Sequence, residues 1–531
     1  MTTAARERGY LEIPERLNVG AYVIDRHVEE GRGGRVAAWA EGRGWTFAEL
    51  REQTNRFANA LRALGVRRGE CVMLRMGTRL ETLIALVGVM KLGAIAIPTS
   101  FLFREHEVEK ILRNSDAVLA VSTPELLGPI EAVCARTPAL RRLILVGAES
   151  GAIDSQRTFS WERLMADASD EFTPAPTACD DVAFVIYTSG TTGEPKGVQQ
   201  AHRWLLGTGD PYNRAMVKMR PADVCYQPQD WSFIYALGSG CLYPLIEGAA
   251  IVVPYGRFAS EPTFETIERH RVTVLAAVPT IYRMLLTVPD AERRWRLDSL
   301  RAAVSAGESL PADTFNEFRR RFGVTIHDGI GQTETHIFVG NRIGMEVKPG
   351  SMGRPLPGYE VAILDDAGRP QKPGEPGHLV LRNDHPGLTV GYRKAAERWA
   401  EVNRGSWYYT QDVAYVDGDG YFWYVSRSDD LIKSRAYLIS PKEVESALLE
   451  HPAVLEAAVV GISHPQIGAR VKGFVTLREG YAPSETLAEQ IRAHARSVIA
   501  PYKVPHQVEF MAELPKSPNG KILRRVLRDR G

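Results

Sequence analysis

The sequence Tyr187-Thr188-Ser189-Gly190-Thr191-Thr192-Gly193-Glu194-Pro195-Lys196-Gly197 follows an apolar run, Val182 to Ile186, that is typical of a buried β-strand. After the tyrosine, the segment offers four hydroxyls, three glycines and one lysine, and no large apolar side chain. Glycines let backbone N–H groups turn toward an anion, hydroxyls add hydrogen-bond donors, and a lysine adds a positive charge. The segment therefore predicts a loop that binds a polyphosphate. A Gly/Thr-rich surface turn is the alternative, which a lone motif of this kind would favour.

The order of residues separates this loop from the P-loop of nucleoside triphosphatases. In the P-loop the lysine follows the second glycine and precedes Ser or Thr, whereas here Glu194 and Pro195 precede Lys196. The segment instead resembles the signature loop of the adenylate-forming superfamily, which includes acyl-CoA synthetases, luciferases and the adenylation domains of peptide synthetases. The residues that would bind nucleotide in this loop are Thr188, Ser189, Gly190, Thr191, Thr192, Gly193 and Lys196.

The composition of the chain is that of an ordinary globular protein. Its length of 531 residues is enough for more than one domain. Its 65 basic and 64 acidic residues give a net charge of +1, so neither nucleic acid nor a membrane is an expected partner. The five cysteines lack metal-binding spacing and favour a reducing compartment. Met1 to Arg16 lacks the apolar core of a signal peptide, and charges interrupt the apolar run Leu80 to Pro98. We therefore expect a cytoplasmic protein.

Apolar strands and amphipathic helices alternate from residue 46 to residue 330, which predicts an α/β fold with a parallel sheet covered by helices on both faces. Thr46 caps an expected helix that Gly65 ends. Frequent Gly and Pro from about residue 345, followed by short alternating strands, predict a small β subdomain. The resemblance implies stacked αβα sheets in the large domain. It also implies that the α+β region after Asp429 is mobile, with domains at 1–428 and 429–531 and a hinge at Asp429.

A second polar segment, Asp328-Gly329-Ile330-Gly331-Gln332-Thr333-Glu334, joins two glycines to an amide, a hydroxyl and two carboxylates. A carboxylate near a polyphosphate is repelled unless Mg²⁺ lies between them. The resemblance assigns Glu334 to Mg²⁺, Thr333 to the α-phosphate, and the residues before them to adenine. It adds Gly307 and Glu308, which follow an apolar strand. The nucleotide residues expected from these segments are Gly307, Glu308, Asp328, Gly329, Gln332 and Thr333.

Asp412 and Arg427 complete the expected nucleotide site. A carboxylate suits ribose because it accepts a hydrogen bond from both hydroxyls at once. The resemblance gives Asp412 this task and assigns Arg427 to ribose and phosphate. A surface ion pair with Asp429 or Asp430 is the alternative for Arg427. Gln411 stands where the family has glycine, which is a departure from the pattern.

Two lysine-bearing segments near the C-terminus resemble the parts that serve the two half-reactions. Lys521, presented by an Asn-Gly turn, matches the lysine that bridges the substrate carboxylate and the α-phosphate. Lys433, Arg435 and Ala436 match the loop beside the passage for coenzyme A. The family has glycine where Ala436 stands, and a methyl group there narrows the passage. The implied catalytic residues are Lys521, Glu334, Thr333 and Lys433.

The resemblance implies a ligase that joins a small carboxylic acid to coenzyme A at the expense of ATP, with Mg²⁺. The glycine at Gly331, where acetate-specific relatives have tryptophan, suggests room for a medium-chain, branched or ring-bearing acid. The Asp230-Trp231 pair and the Gly-Gln-Thr-Glu run look most like those of medium-chain acyl-CoA and aryl-CoA ligases. The acyl pocket is expected to involve Trp231, Tyr235, Val278, Pro279, Thr280, Gly329 and Gly331.

Two other functions stay open at this stage. Gln411 and Ala436 would suit an enzyme that performs one half-reaction, either adenylation alone or thioester formation from a preformed adenylate. A non-catalytic adenylate-binding protein is less favoured, because Lys196, Glu334 and Lys521 are all present. The acceptor could also be an acyl carrier protein instead of coenzyme A, and the protein could be a monomer or a homodimer.

Overall fold

The computed structural model describes residues 12–148, 156–189, 195–254, 256, 258–428, 430–434, 437–464, 468–516 and 522–530. The chain divides into two compact units. The larger unit comprises residues 1–360 and 382–407, and the smaller unit comprises residues 361–381 and 408–531. The smaller unit thus joins strands of the expected β subdomain to the C-terminal region. Asp429 lies outside the described residues, so the domain boundary placed there stays a prediction.

The larger unit contains a mostly parallel sheet that carries the polyphosphate-loop segment. Among the described residues it has eight strands, of which six are parallel. From one edge to the other, the strands are Gly391–Tyr392, Pro195–Ala201, Val182–Ser189, Ile95–Pro98, Cys71–Arg75, Leu119–Ser122, Arg142–Leu145 and Thr158–Ser160. This arrangement confirms the α/β fold predicted from the alternation of strands and helices.

A second sheet of the larger unit is also parallel in its centre and antiparallel at its edges. Its nine strands, counted in the described part of the chain, are in order Arg354–Pro355, His336–Gly340, Ile326–Gln332, Ala302–Ser305, Val274–Ala277, Val224–Tyr226, Ala250–Val252, Val36–Ala40 and Arg43–Thr46. The polar segment at 328–334 therefore belongs to an antiparallel hairpin at one side of this sheet.

The strand before the polyphosphate loop is longer than the apolar run predicts. It extends from Val182 to Ser189 and pairs antiparallel with Pro195–Ala201, so that Thr188 lies opposite Lys196. The sequence placed the end of the strand at Ile186, because the residues that follow are polar. Pairing with the second strand satisfies their backbone groups and makes this segment a hairpin.

The helices of the larger unit pack between and beside the two sheets. The α-helices are Val19–Glu29, Phe47–Ala63, Leu80–Lys91, Glu105–Ser115, Gly128–Val133, Trp161–Asp167, Trp204–Pro211, Ile234–Leu237, Tyr243–Glu247, Ser260–His270, Pro279–Leu286, Ala291–Arg294, Ala312–Phe322 and Ala396–Val402. Short 3₁₀ or π turns are Pro124–Leu126, Cys134–Arg136, Tyr212–Val217 and Gly238–Leu242. None of the described helices is long and apolar enough to cross a bilayer.

Local signals set the ends of the helix that begins at Phe47. The Thr46 hydroxyl accepts a hydrogen bond from the Glu49 backbone N–H at 3.2 Å. The Glu49 carboxylate in turn accepts one from the Thr46 backbone N–H at 2.8 Å. This capping box satisfies two donors that the helix leaves free. Beyond the last turn, Gly65 takes a φ of +74°, which confirms its predicted role in ending the helix.

Lys91 holds three helices together from a fully buried position. Its ammonium donates to the Asp25 carboxylate at 2.5 Å, the Thr54 hydroxyl at 2.8 Å and the Asn55 side-chain oxygen at 2.7 Å. Burial raises the pKa of Asp25, and burial lowers the pKa of Lys91 to about 8, although their mutual attraction opposes both shifts. The charge that seemed to interrupt an apolar run is thus the centre of a buried polar cluster.

The smaller unit contains two sheets and three α-helices among its described residues. Strands Val361–Leu364, Gly377–Arg382, Trp407–Val416 and Phe422–Arg427 form most of one sheet. The other sheet consists of Tyr437–Ile439, Ile432–Ser434, Gly468–Leu477, Val454–His464 and Gln507–Phe510. The helices are Pro441–Leu449, Glu485–Val498 and Arg524–Arg528, with a 3₁₀ turn at Pro501–Lys503. The predicted α+β character of this region is confirmed.

His202 is a fully buried histidine of the larger unit. Its Nδ1 accepts a hydrogen bond from the Val19 backbone N–H at 3.1 Å. Burial lowers its pKa from 6.5 to about 4, although Asp181 opposes the shift. The unfolded state therefore binds more protons than the folded state below pH 6.5. The contribution of His202 to the free energy of unfolding is fully present above pH 6.5 and is lost as the pH falls toward 4.

We expect His202 by itself to lower the free energy of unfolding by about 2 kcal/mol between pH 7.5 and pH 5. Urea unfolding of the wild type and of His202→Asn at both pH values measures this contribution. The asparagine oxygen can accept the same hydrogen bond, but it does not titrate. The variant should therefore lose less stability on acidification than the wild type. Equal losses of stability in the wild type and the variant would show that His202 does not cause this pH dependence.

Candidate functional site

The polyphosphate hairpin and the polar 328–334 segment meet through an ion pair inside the larger unit. Lys196 Nζ lies 2.6 Å from Glu334 Oε1, although the two residues are 138 positions apart in the chain. The Tyr392 hydroxyl donates to the same carboxylate oxygen at 2.7 Å. The Lys196 ammonium also lies 4.4 Å from the centre of the Tyr392 ring, a cation–π distance. These three side chains, here called the Lys196–Glu334–Tyr392 cluster, combine two motifs that the sequence predicted separately.

Backbone contacts between the two sheets hold the cluster in place. Glu334 lies in the turn that joins strands Ile326–Gln332 and His336–Gly340. The Gln200 side-chain amide donates to the Thr333 carbonyl at 2.5 Å. The Thr389 backbone N–H donates to the Glu334 carbonyl at 2.8 Å. The turn is therefore fixed from both sides, so the carboxylate points at Lys196 before any ligand binds.

Glu334 is ionised in this environment in spite of its burial. Burial by itself would raise the pKa of the Glu334 carboxyl group. The Lys196 ammonium and the Tyr392 hydroxyl lower this pKa by more than burial raises it, so the net pKa lies below the ordinary value. A buried carboxylate is stable only when a cation and hydrogen-bond donors compensate its charge. The cluster provides both, and a bound cation would find a charged oxygen ligand there.

The donor set fits a magnesium ion that arrives with a nucleotide. No group of three or more His, Cys, Asp or Glu side chains that could hold a metal occurs in the part of the chain that the structure describes. Mg²⁺ usually keeps several waters and binds one or two protein carboxylates together with substrate phosphates. The single buried carboxylate of Glu334, beside a hydroxyl-rich hairpin, matches that pattern and not a dedicated protein cage.

Several predicted nucleotide and acyl residues lie together at the carboxyl ends of adjacent parallel strands. Val278 directly follows strand Val274–Ala277, and Gly307 lies two residues after strand Ala302–Ser305. Asp328 lies in the neighbouring strand, opposite Ser305, which is the last residue of strand Ala302–Ser305. The Thr280 hydroxyl donates to the Glu308 carboxylate at 2.8 Å. Ligands of α/β proteins bind at this edge of a sheet. The structure thus brings together the residues of this group, which are Val278, Pro279, Thr280, Gly307, Glu308 and Asp328.

Gly307 has a φ of +92°, and a Cβ atom there would lie 3.5 Å from Val278. The backbone conformation, more than crowding, requires glycine at this position, because L side chains rarely adopt it. The turn after strand Ala302–Ser305 consequently stays close to the neighbouring strand end. This closeness suits a backbone that lines a flat ligand.

Gly331 and Gly329 allow the two strands of the hairpin to pack closely, and they leave no empty space beside them. A Cβ atom on Gly331 would lie 2.1 Å from the His336 carbonyl oxygen, and one on Gly329 would lie 2.7 Å from the Val339 oxygen. The opposite strand therefore fills the space that the missing side chains leave. The expectation that Gly331 makes room for a large acid has no support in this geometry.

Tyr235, one of the predicted pocket residues, lies beside the ring of His336. Its hydroxyl donates to the Val304 carbonyl at 3.0 Å, and its ring centre lies 6.0 Å from that of His336. His336 is buried, its two ring nitrogens have no hydrogen-bond partner among the described residues, and burial lowers its pKa to about 3. Trp231 is also buried, and its backbone N–H donates a hydrogen bond to the Thr78 hydroxyl at 3.1 Å.

Sequence reasoning missed Tyr392 and His336. Tyr392 belongs to a two-residue strand, and its distance of 58 positions from Glu334 carries no local signal. His336 comes two residues after Glu334, so its closeness to the polar motif could have drawn attention to it. The residues that contact both side chains belong to strands of the two sheets that are distant in the sequence. A local sequence pattern does not reveal such contacts.

Asp412 and Arg427 lie together in the smaller unit. They are opposite each other in antiparallel strands, and Arg427 donates to the Asp412 carboxylate at 3.1 Å. Arg427 also donates to the Thr410 carbonyl at 3.2 Å. Arg427 thus pairs with Asp412, the other predicted ribose residue. Both side chains are held in one place, as two groups that bind one ligand require.

Gln411 departs from the family pattern in identity but not in conformation. Its φ is +63°, in the left-handed region that favours glycine, and its side chain is exposed. Its side-chain oxygen accepts a hydrogen bond from Arg427 at 3.2 Å. The strand before Asp412 therefore follows the path that a glycine would give, so Gln411 offers no structural argument for an enzyme limited to one half-reaction.

Replacing Gln411 with Gly should raise the free energy of unfolding by about 0.5–1 kcal/mol, because glycine adopts a positive φ without steric strain. Gln411→Ala is the matched control, since alanine also lacks the long side chain but keeps the Cβ atom. Denaturant unfolding of both variants measures the effect. If the alanine variant were more stable than the wild type, or the glycine variant less stable, the side chain of Gln411 and not its backbone conformation would determine the change in the free energy of unfolding.

Some predicted site residues cannot be placed. The structure describes the backbone of Lys433, in strand Ile432–Ser434. Residues outside the described part of the chain are Gly190, Thr191, Thr192, Gly193, Asp429, Arg435, Ala436 and Lys521. Their roles in phosphate binding, hinge motion, coenzyme A passage and catalysis stay predictions.

Comparison with known families assigns the two parts of the chain to one enzyme class. Residues 24–393 match the AMP-binding enzyme family, and residues 443–521 match the AMP-binding enzyme C-terminal domain. A benzoate–CoA ligase of Thauera aromatica is 37% identical, over 98% of this chain and 97% of its own length. The mitochondrial acyl-coenzyme A synthetase ACSM3 of Mus musculus is 35% identical, over 98% of this chain and 91% of its own length.

Solved structures show the same likeness. The anthranilate CoA ligase AuaEII, crystallised in complex with anthranoyl-AMP, superposes with a TM-score of 0.90 at 34% identity, covering 100% of this chain and 99% of that one. A benzoate CoA ligase from Burkholderia xenovorans LB400 gives a TM-score of 0.86 at 33% identity, covering 96% and 99%. The similarity therefore extends over the whole chain and includes ligases of aromatic acids.

Proposed function

Because this chain belongs to the AMP-binding enzyme family and is an AMP-forming acid–CoA ligase, we propose that its substrate is a ring-bearing carboxylic acid, which it converts to the acyl-adenylate and then to the acyl-CoA thioester. The observation that carries the adenylation step is the contact between Lys196 and Glu334, which unites the polyphosphate hairpin with the predicted Mg²⁺ ligand. Two motifs from different sheets thus form one charged site.

In the first half-reaction, a carboxylate oxygen of the acid forms a bond to the α-phosphorus of ATP, and the bond to pyrophosphate breaks. The acid is already ionised at neutral pH, so no general base is needed. The obstacle is repulsion between two anions. Lys196 and the hydroxyls and backbone donors of the hairpin would hold the phosphates and offset that repulsion, which preorganised charges do effectively. Mg²⁺, when bound at Glu334, supplies further neutralisation of phosphate charge.

In the second half-reaction, the thiolate of coenzyme A attacks the carbonyl carbon of the acyl-adenylate, and the bond to AMP breaks. Asp412 and Arg427 would hold the ribose and phosphate of the nucleotide during both steps. Lys521 and the segment from Lys433 to Ala436 are proposed to act in turn, the first in adenylation and the second in thioester formation. Rotation about Asp429 would exchange them.

The proposal of a ring-bearing acid has two supports. The relatives with high similarity include ligases named for benzoate and anthranilate. Among the aromatic side chains beside the predicted pocket strands, Trp231 and His336 are buried and Tyr235 is half-buried. Flat aromatic rings pack well against such side chains. A medium-chain acid is the second substrate class, because ACSM3 is also similar over nearly the whole chain.

A panel of acids tests the proposal. Benzoate, anthranilate, hexanoate, octanoate and acetate are each incubated with enzyme, ATP and Mg²⁺, and pyrophosphate release and thioester formation are measured with and without coenzyme A. We expect the aromatic acids to give the highest kcat/KM for thioester. Highest activity with the fatty acids would replace the aromatic assignment, and a failure of every acid to release pyrophosphate would refute the ligase site.

Lys521→Ala separates the two half-reactions in the same assay. The variant should lose acid-dependent pyrophosphate release but still form thioester from a supplied acyl-adenylate and coenzyme A. Survival of pyrophosphate release would contradict the role proposed for this lysine. Pyrophosphate release without thioester in the wild type would instead indicate an enzyme of the adenylation half-reaction or one that uses a carrier protein.

A further inference from the structure

Arg393 directly follows Tyr392 in the sequence, and none of the predicted site motifs includes it. Its guanidinium donates a hydrogen bond to the Ser115 carbonyl at 2.7 Å, 278 positions away, and another to the Asn114 carbonyl at 3.3 Å. Both carbonyls belong to the last turn of helix Glu105–Ser115. The last four carbonyls of a helix have no partner within it, and an arginine can satisfy them. Arg393 thus joins the segment that carries Tyr392 to the end of this helix.

Tyr392 lies on an edge strand of only two residues, Gly391–Tyr392, in the eight-stranded sheet. Within the described part of the chain, this strand pairs with Pro195–Ala201 of the polyphosphate hairpin and with no strand on its other side. The Arg393 backbone N–H extends the pairing by one hydrogen bond, to the Gly197 carbonyl at 2.8 Å. A strand with so few backbone bonds opens easily. A side-chain anchor directly beside it therefore adds to the rigidity of Tyr392.

The end of the same helix also supports the polyphosphate hairpin. The Tyr187 hydroxyl donates to the Asn114 side-chain oxygen at 2.7 Å. Tyr187 is buried and lies opposite Gly197, and a Cβ atom on Gly197 would lie 3.0 Å from the Tyr187 ring. Lys196 directly precedes Gly197. The strand before the loop and the strand of Tyr392 are therefore tied to one common support, which fixes their separation.

The Tyr392 side chain makes two contacts that require an exact position. Its hydroxyl donates to Glu334 Oε1 at 2.7 Å, and its ring centre lies 4.4 Å from Lys196 Nζ. Trp399 packs edge-on against the ring at 5.2 Å and limits its rotation. A displacement of about 1 Å would be enough to lose the hydrogen bond to Glu334. Trp399 thus orients the ring, whereas Arg393 anchors the backbone from which the ring extends.

We propose that Arg393 is a positioning residue for the adenylation half-reaction, because it anchors the strand of Tyr392 to the end of helix Glu105–Ser115. The anchor keeps the Tyr392 hydroxyl on Glu334 and its ring beside Lys196. This inference rests on the role proposed for Lys196 and Glu334, and it adds a residue that sets the geometry from outside the site. The hydrogen bonds of Arg393 in the described structure go to backbone carbonyls of the helix and the hairpin. Its effect on the rate therefore passes through Tyr392.

The test uses the full-length enzyme with ATP, Mg²⁺ and benzoate, or another acid that the wild type activates. Arg393→Gln should lower kcat for acid-dependent pyrophosphate exchange about fivefold, because small misplacements of a group at the reacting centre are costly. The KM for the acid should stay within about twofold of the wild-type value, since the lost contact lies on the phosphate side of the site. Arg393→Lys keeps a cation but not the planar fork of donors, so its rate should lie between those of the wild type and the glutamine variant.

Lys394→Gln is the matched control. The Lys394 ammonium donates to the Arg113 carbonyl at 3.2 Å and pairs with the Asp116 carboxylate at 2.7 Å, so it serves the end of the same helix. Exposed cations at a helix end contribute little to stability. Lys394→Gln should therefore keep the wild-type exchange rate. An equal loss in Lys394→Gln and Arg393→Gln would show that the helix end, and not the position of Tyr392, determines the rate.

A double-mutant cycle separates positioning from a general structural effect. Tyr392→Ala removes the side chain that Arg393 is proposed to position. In the Tyr392→Ala background, Arg393→Gln should change the exchange rate by less than about 1.5-fold, whereas independent effects would multiply. Urea unfolding of each variant establishes that it is folded under the assay conditions.

The outcomes separate this inference from the proposed function. If Glu334→Gln keeps the wild-type exchange rate, the role proposed for the charged site fails. If Glu334→Gln is impaired and Arg393→Gln is not, the positioning role is refuted. It is also refuted if Arg393→Gln causes the same loss with and without the Tyr392 side chain. Should Arg393→Gln not fold, Arg393→Lys gives the same decision through the same cycle.

Discussion

Glu334→Gln should lower the rate of acid-dependent pyrophosphate exchange by about 10²–10³-fold, which is the usual effect of removing one preorganised charge from a reacting site. The substitution keeps the shape of the side chain, so the amide oxygen can still accept hydrogen bonds from Lys196 and Tyr392. It removes the negative charge that balances the Lys196 ammonium and that would bind Mg²⁺. We therefore expect the Mg²⁺ concentration for half-maximal activity to rise as well.

Two variants control for this experiment. Glu485→Gln removes an exposed carboxylate in the first turn of a surface helix and should not change the rate. Tyr392→Phe keeps the ring below the Lys196 ammonium and removes only the hydroxyl, so a loss of about tenfold is expected. Wild-type rates in Glu334→Gln, with an unchanged Mg²⁺ requirement, would exclude this carboxylate from the reaction.

Lys91→Met should lower the free energy of unfolding by about 3–5 kcal/mol, because it leaves the Asp25 carboxylate buried without its cation. Methionine has a similar length and fills the space, so the lost charge and not a cavity dominates. Denaturant unfolding followed by circular dichroism measures the change. The variant should recover part of its stability on acidification, since Asp25 already has a raised pKa and loses the lysine that lowered it.

The double variant Lys91→Met with Asp25→Asn is the matched control. It removes both charges, and apolar or neutral replacements of a buried ion pair are often close to neutral in stability. We expect it to be more stable than Lys91→Met alone, in spite of carrying one more substitution. A double variant that is the less stable of the two would show that the hydrogen bonds from Lys91 to Thr54 and Asn55 matter more than the charge.

Local sequence patterns were sufficient to predict most secondary-structure elements and to identify the motifs of the site. The helix between Thr46 and Gly65 is capped and ended as predicted. Such features depend on contacts between residues a few positions apart. The strand that ends at Ser189 was predicted too short, because the polar residues at its end are stabilised by a partner strand and not by their own pattern.

The structure gives no support to the substrate argument from Gly331, for a related reason. A missing side chain leaves room only if no other part of the chain enters the space, and here the backbone of the opposite strand does so. Lys91 gives the converse case. Its charge looked like an interruption in an apolar run, but Asp25, 66 positions away, makes its burial possible.

The sequence by itself determined the α/β class, the order of the motifs and the chemical types at the site, because periodicity, caps and donor-rich loops are properties of neighbouring residues. Only the tertiary structure decided which of those residues meet. Lys196, Glu334 and Tyr392 come together where two sheets pack, and the ammonium of Lys91 finds its carboxylate on another helix. Pairings of this kind depend on long-range packing, which the spacing of residues along a chain does not encode locally.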